Sequence, residues 1–335
     1  MERFSYTSLT LGARWVILRR IGETRLNPAP RRSTLVSGLL AGIIAVSTAS
    51  IFIKLAQDDG APSVVIAAYR LSLASLVLAP LALTRYRSEL RRLTRGEWAL
   101  ALLSGLFLAL HFTVWITSLQ YTSVASSVVL VTTTPLWVAL LSPLVLRERL
   151  GWTAIVGLLL ALLGGTIVSL SDACTWQAGG VACPPLSTFV AGTAFLGDSL
   201  ALLGAWMAAG YMLVGRKLRA KMDLVPYIFI VYLMASLVLI VIMLALKESP
   251  AGYRPAVYLW LVLLALVPQL LGHSTFNWAL KYIPASMVAV TLLGEPVGTT
   301  ILAYFIFQEN PGWVKIGGAV LILAGIWLTA RAEVT

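Results

Sequence analysis

Residues 151–164 read GWTAIVGLLLALLG and residues 312–325 read GWVKIGGAVLILAG. Both are apolar runs punctuated by glycine, and Gly151-Trp152, Gly157 and Gly164 return as Gly312-Trp313, Gly318 and Gly325 at a single offset of 161 residues. The same offset lays Ala74-Ser75-Leu76-Val77-Leu78 on Ala235-Ser236-Leu237-Val238-Leu239, Leu119 on Leu280, Tyr121 on Tyr282, Pro135 on Pro296 and Glu148 on Glu309. Coincidences in so regular an order mark an internal duplication. The repeated unit is built from apolar stretches near 20 residues, each long enough to cross a hydrocarbon core about 30 Å thick at about 1.5 Å per residue.

Extending outward, spans are predicted near 35–56, 62–84, 98–118, 123–146, 152–170, 198–215, 225–246, 257–279, 285–306 and 313–330. Of the 335 residues 59% are apolar and 12% charged, about half the charged fraction of a soluble domain, which excludes a water-soluble globule. Segments of alternating polarity about ten residues long, the mark of a membrane β-barrel, are absent. Five spans per unit is an odd number, so the second unit enters the membrane from the opposite side. The expected fold is all-α, a polytopic membrane protein of ten transmembrane helices arranged as two inverted five-helix repeats. Its parts are a basic tail over 1–34, repeats over 35–170 and 192–330, an extracytoplasmic loop over 171–191 and a short tail over 331–335.

The net charge of +11 is a topology signal here rather than a nucleic-acid one, since no aromatic-and-basic recognition motif accompanies it. With the amino terminus inside, the inner tails and loops hold 20 basic residues, among them Arg85, Arg87, Arg91, Arg92, Arg216 and Lys217, against Lys247 and Arg254 outside. Both termini are therefore expected in the cytoplasm. Arg14 interrupts the only candidate signal-peptide core, so no cleavage is expected. Cys174 and Cys183 share one loop free of Lys and Arg, which permits a disulfide if that loop faces an oxidising compartment. Two cysteines exclude a four-cysteine zinc site, and no phosphate-cradling, metal-binding or nucleophile-elbow motif is present. Neither a metal nor a cofactor is expected.

The joint and helix from Tyr121 to Pro135, the run Leu146-Arg147-Glu148-Arg149-Leu150-Gly151-Trp152 and the helix of Gly157 and Gly164-Gly165 resemble the EamA repeat of the drug/metabolite transporter superfamily. Its second copy is Tyr282-Ile283-Pro284-Ala285, Glu295-Pro296, Glu309 and Gly312-Trp313, and Gly197-Asp198-Ser199-Leu200-Ala201-Leu202 is similar to the opening of that family's second half. The resemblance covers about residues 35–330. It implies a ten-helix inner-membrane transporter of metabolites, a range that includes amino acids, amines and nucleotide-like compounds.

Ionisable side chains inside a membrane are costly, so each is a functional candidate. Glu295 precedes Pro296 at the middle of span nine. A carboxylate there needs a proton, a cation or a substrate ammonium; protonated, it would instead bond a carbonyl freed by the kink. Arg70, beside Tyr69, would meet a substrate carboxylate, pair with Glu295 or tie helices together, and a zwitterion would use both charges. His111 and His273 stand one residue off the repeat offset and share helical faces with Trp115 and Asn277 respectively. Trp206 and Tyr211 in span six supply candidate aromatic walls. Pro135 and Pro296 break symmetry-related helices and suit two hinges. Thr132, Thr133 and Thr134 either line the cavity or cap freed carbonyls. Asp198 reads as an N-cap, Lys54 as a snorkelling residue, and Glu148 and Glu309 as joint residues.

Together these readings predict a secondary transporter in a bacterial inner membrane, working by alternating access and exporting amino acids or related zwitterions. Its partners would be a small-molecule metabolite, the lipid bilayer and protons as coupling ion, with no nucleic acid, as a monomer or homodimer. Uptake of choline-like organic cations is the alternative, and a membrane-embedded lipid-modifying enzyme is the alternative of a different class.

Overall fold

The computed structural model describes residues 30–146, 152–177, 180–182, 187, 192–283, 285–292 and 294–332. Helices α1 (Arg32–Ser47) and α2 (Ala49–Asp58) form one rod broken at Thr48, whose hydroxyl donates to the Ala45 carbonyl at 2.8 Å. They are followed by α3 (Ser63–Thr84), the short basic α4 (Arg87–Arg92) and α5 (Arg95–Ser118). Thr94 starts α5 through a reciprocal capping box with Glu97, which satisfies amide groups that a helix start leaves open. Then come α6 (Val124–Val131), α7 (Thr134–Leu146) and α8 (Trp152–Ala173).

A small antiparallel hairpin, β1 (Thr175–Gln177) with β2 (Gly180–Ala182), separates the halves. The second half contains α9 (Thr193–Arg219), α10 (Leu224–Ala245), α11 (Pro255–Leu264), a wide-turn segment over Ala265–His273, α12 (Ser274–Ala279), α13 (Ala285–Thr291), α14 (Gly294–Phe307) and α15 (Gly312–Ala332). Seven helical stretches among the described residues are long and apolar enough to cross a membrane. The other expected spans correspond to α8, to the broken pair α13 and α14, and to α15.

Packing repeats the duplication. Helix α5 lies along α9, and shifting by half the molecule turns that contact into the one between the 265–273 segment and α1. The pairs α3 with α10 and α8 with α15 map onto themselves. A Cβ added to Gly164 would stand 2.5 Å from the Gly318 carbonyl, and one added to Gly325 would collide with the Gly157 carbonyl. This is one contact made twice, once from each half, as two-fold related units require. Glycine is needed at this crossing because the two backbones touch.

Asp198 does not cap a helix. Helix α9 begins five residues earlier, after Gly192, and Asp198 is buried in its second turn, accepting from the Thr122 hydroxyl at 2.9 Å. Hydropathy places the start of span six too late because Thr193 to Gly197 are small or mixed in polarity. Lys54 faces Asp58 one turn away at 3.4 Å.

Candidate functional site

Proline sets the site. Pro135 lacks an amide hydrogen and its ring crowds the carbonyl four residues earlier, so α6 stops at Val131 and α7 starts again at Thr134. The Thr132, Thr133 and Thr134 hydroxyls donate to the Val128, Leu130 and Val131 carbonyls at 2.7–2.8 Å. Thr134 thereby occupies the Val131 carbonyl, which Pro135 leaves without an amide donor, while Thr132 and Thr134 also line the adjoining cavity. In the second half α13 stops at Thr291 and α14 restarts at Gly294 ahead of Pro296, with Glu295 in the place that Thr134 holds in the first half. The Ser47 hydroxyl, at the break between α1 and α2, donates to the Glu295 backbone carbonyl at 3.4 Å.

The cavity lies between these two breaks. Its polar and aromatic wall includes Glu295 from α14, His111 and Trp115 from α5, Tyr211 from α9, and His273 and Asn277 beside and within α12. His111 Nδ1 donates to the Gly204 carbonyl at 2.9 Å, so Nε2 is the acceptor nitrogen of the neutral ring. The imidazole stacks on Trp115, centroids 5.7 Å apart with 13° between planes. Asn277 is held from three sides. Its Oδ1 accepts from the Tyr211 hydroxyl at 2.8 Å, its Nδ2 donates to the His273 carbonyl at 2.9 Å, and its own carbonyl accepts from Arg219 Nε at 3.0 Å. Such a network fixes the wall on the α9 and α12 side.

Other residues proposed from sequence stand elsewhere. Pro296 is buried behind Glu295, whereas Pro135 reaches the cavity. Arg70 is fully buried on α3, outside the cavity wall, bonding Gln269 and resting on the Phe112 ring. Tyr69 points outward, donating to the Pro250 carbonyl at 2.8 Å and meeting Tyr258 edge-on. Trp206 is 49% exposed and packs against Trp137. Neither lines the cavity. Cys174 is buried just after α8, while Cys183 and Glu148 lie outside the described residues.

Gln269 escapes a reading of the sequence, although it follows Pro268 in an otherwise apolar run, which is the available signal. At one end of the bundle the halves are also tied together. Glu309 accepts from the Val124 amide at 3.3 Å, and Lys315 Nζ donates to Ser123 Oγ at 2.8 Å. Thus the acid of the second half caps α6 of the first. Among the described residues no group of three His, Cys, Asp or Glu side chains could hold a metal ion.

A duplicated bundle of membrane-crossing helices enclosing a cavity at paired helix breaks is a transporter architecture. The EamA-like transporter family matches residues 33–170 and again 195–331, and the chain belongs to that family. It is a multi-pass membrane transporter of a small molecule and not an enzyme. An uncharacterized transporter of Archaeoglobus fulgidus is 24% identical over 287 residues, covering 84% of this chain and 92% of that one. The pseudopaline exporter CntI of Pseudomonas aeruginosa is 26% identical over 302 residues, covering 89% and 98% respectively. A solved crystal structure superposes with a TM-score of 0.62 at 20% identity, over 91% of this chain and all of that one, a likeness of fold.

Proposed function

We propose that the protein is a secondary active transporter of a bacterial inner membrane that exports a small amphipathic metabolite, an amino acid or related zwitterion, by alternating access. In this reading ten spans cross the membrane as two inverted repeats, with both termini in the cytoplasm. The observation that carries it is Glu295. This carboxyl lines the cavity at a helix break, and no basic side chain among the described residues stands within ion-pair distance of it. A carboxylate in such a place is offset by a proton or by a substrate ammonium. The aromatic wall of Trp115 and His111 suits the apolar part of the same molecule. A relative named as an exporter supports outward movement over uptake of a choline-like cation.

The test is thermal unfolding of the detergent-purified protein with amino acids, amines, nucleosides and organic anions, run beside Glu295→Gln. A ligand that binds the folded state alone raises its stability. Amino acids or amines should stabilise the wild type, and the variant should lose that response. Equal stabilisation of both proteins would remove Glu295 from the binding site. Stabilisation by nucleosides alone would overturn the substrate class.

A further inference from the structure

Arg70 is a charge that the cavity does not use. Its Nε donates to Gln269 Oε1 at 2.7 Å, yet Nη1 and Nη2, both buried, make no hydrogen bond within the protein. The Gln269 amide is equally buried and bonds the Tyr232 hydroxyl. Glu295 is within electrostatic reach of Arg70 but forms no ion pair with it. An arginine cannot shed its proton, and a buried cation without a partner is strongly destabilising. Buried donors are almost always paired, so the two bare ends of this guanidinium call for an acceptor.

The geometry points to a carboxylate-binding subsite formed by Nη1 and Nη2 of Arg70. The fork of a guanidinium matches the two oxygens of a carboxylate, and one fixed positive charge balances one monoanion, which a doubly charged phosphate would exceed. The subsite is built rather than incidental. The bond from Nε to Gln269 sets the plane of the guanidinium, and the Phe112 ring supports it from below, 4.1 Å from Cζ to centroid, a cation–π contact. The wide turns around Pro268 set Gln269 opposite α3.

Phe112 is the partition between this subsite and the cavity. One face of its ring carries Arg70, and its other ring neighbours, His111 at 4.8 Å, Trp115 at 6.2 Å and His273 edge-on at 5.5 Å, all line the cavity. For a ligand in the cavity to reach Arg70, Phe112 must rotate. The subsite rests on the reading of the cavity given above: a ligand whose ammonium meets Glu295 extends its carboxylate past Phe112 to Arg70. Its consequence is selection of a zwitterion over the amine lacking only the carboxylate.

The experiment uses three compounds on one skeleton: leucine, 3-methylbutylamine and 4-methylpentanoate. Binding of each is measured by thermal shift and by competition on the purified full chain. Leucine should bind the wild type about tenfold or more tightly than the amine, as charge-assisted bonds allow. In Arg70→Gln that ratio should fall to about one, with amine affinity unchanged. Gln269→Glu supplies an internal carboxylate to Arg70, so it should fold stably and abolish the leucine preference even if Arg70→Gln does not fold. Phe112→Leu should change the leucine ratio and leave the amine alone.

If the amine binds through Glu295 but the carboxylate adds nothing, or if the ratio survives both substitutions, the subsite is overturned and the cavity reading stands. If 4-methylpentanoate binds in an Arg70-dependent way and the amine does not bind, the subsite stands and the role of Glu295 falls. If none of the three compounds binds, both are overturned.

Discussion

At the scale of single residues, the weight of a polar side chain is set by its neighbours more than by its type. Glu295 can be picked out in the sequence because an acid beside a proline in the middle of an apolar span is costly to bury. Gln269 cannot be ranked in the same way, since its importance lies in meeting Arg70 from a helix almost 200 positions away, a relation that spacing does not encode. Tyr69 and Tyr211 make the same point as a pair, for both are candidates by sequence and only Tyr211 lines the cavity. Its hydroxyl donates to Asn277 inside the bundle, whereas that of Tyr69 donates to an exposed loop carbonyl. Tyr211→Phe should therefore lower stability by about 1–2 kcal/mol, because Asn277 Oδ1 loses a buried donor. Tyr69→Phe should stay within about 0.5 kcal/mol, as exposed changes usually do. Chemical unfolding of the two variants in the same detergent compares them directly, and equal losses would show that the wall network has no special weight.

Among elements, the repeat is readable in the sequence and the exact course of the helices is not. Matched prolines identify both breaks, since the physical cause of each break is local to the chain. The wide turns over 265–273 and the early start of α9 depend on packing partners, so hydropathy places neither. The α8 and α15 crossing gives the sharpest prediction here. Gly164→Val puts carbon against the Gly318 carbonyl and should separate the two backbones, costing about 3 kcal/mol or more. Gly317→Ala, one position from the contact with nothing within 4 Å of the added carbon, should leave stability equal or raise it by up to about 1 kcal/mol. Melting curves of the two proteins decide it, and a stable Gly164→Val would mean the helices do not cross there. Pro135→Ala tests the break itself. Restoring the amide lets the chain bond back toward Val131, so the protein should melt higher while flux into liposomes slows. Unchanged flux would make the kink a fixed bend that shapes the cavity without moving.

For the whole molecule, the decisive property is how the two halves sit in the bilayer. Contacts that exchange under the 161-residue shift establish two-fold packing, but two-fold packing alone does not say which end faces the cytoplasm. That information is in charge, because translocating arginine is costly and inner loops keep it. The joint of Ser123, Glu309 and Lys315 should then face outward. The opposite end holds Asp223, whose carboxylate pairs with Lys281 at 3.1 Å and whose amide donates to Glu89 at 2.8 Å, and it should face inward. Single cysteines at exposed loop positions read this assignment with a membrane-impermeant maleimide on intact cells. Gln120→Cys and Ala251→Cys should label from outside, while Ser88→Cys and Ala220→Cys should label only after the membrane is opened. All four sites are solvent-exposed, so a failure to label reports sidedness rather than burial. External labelling at position 88 or 220 would invert or break the proposed topology. Arg70, near the start of α3, would then lie on the cytoplasmic side of the cavity instead of the outer side, and an exported zwitterion would meet the guanidinium on entry rather than before release.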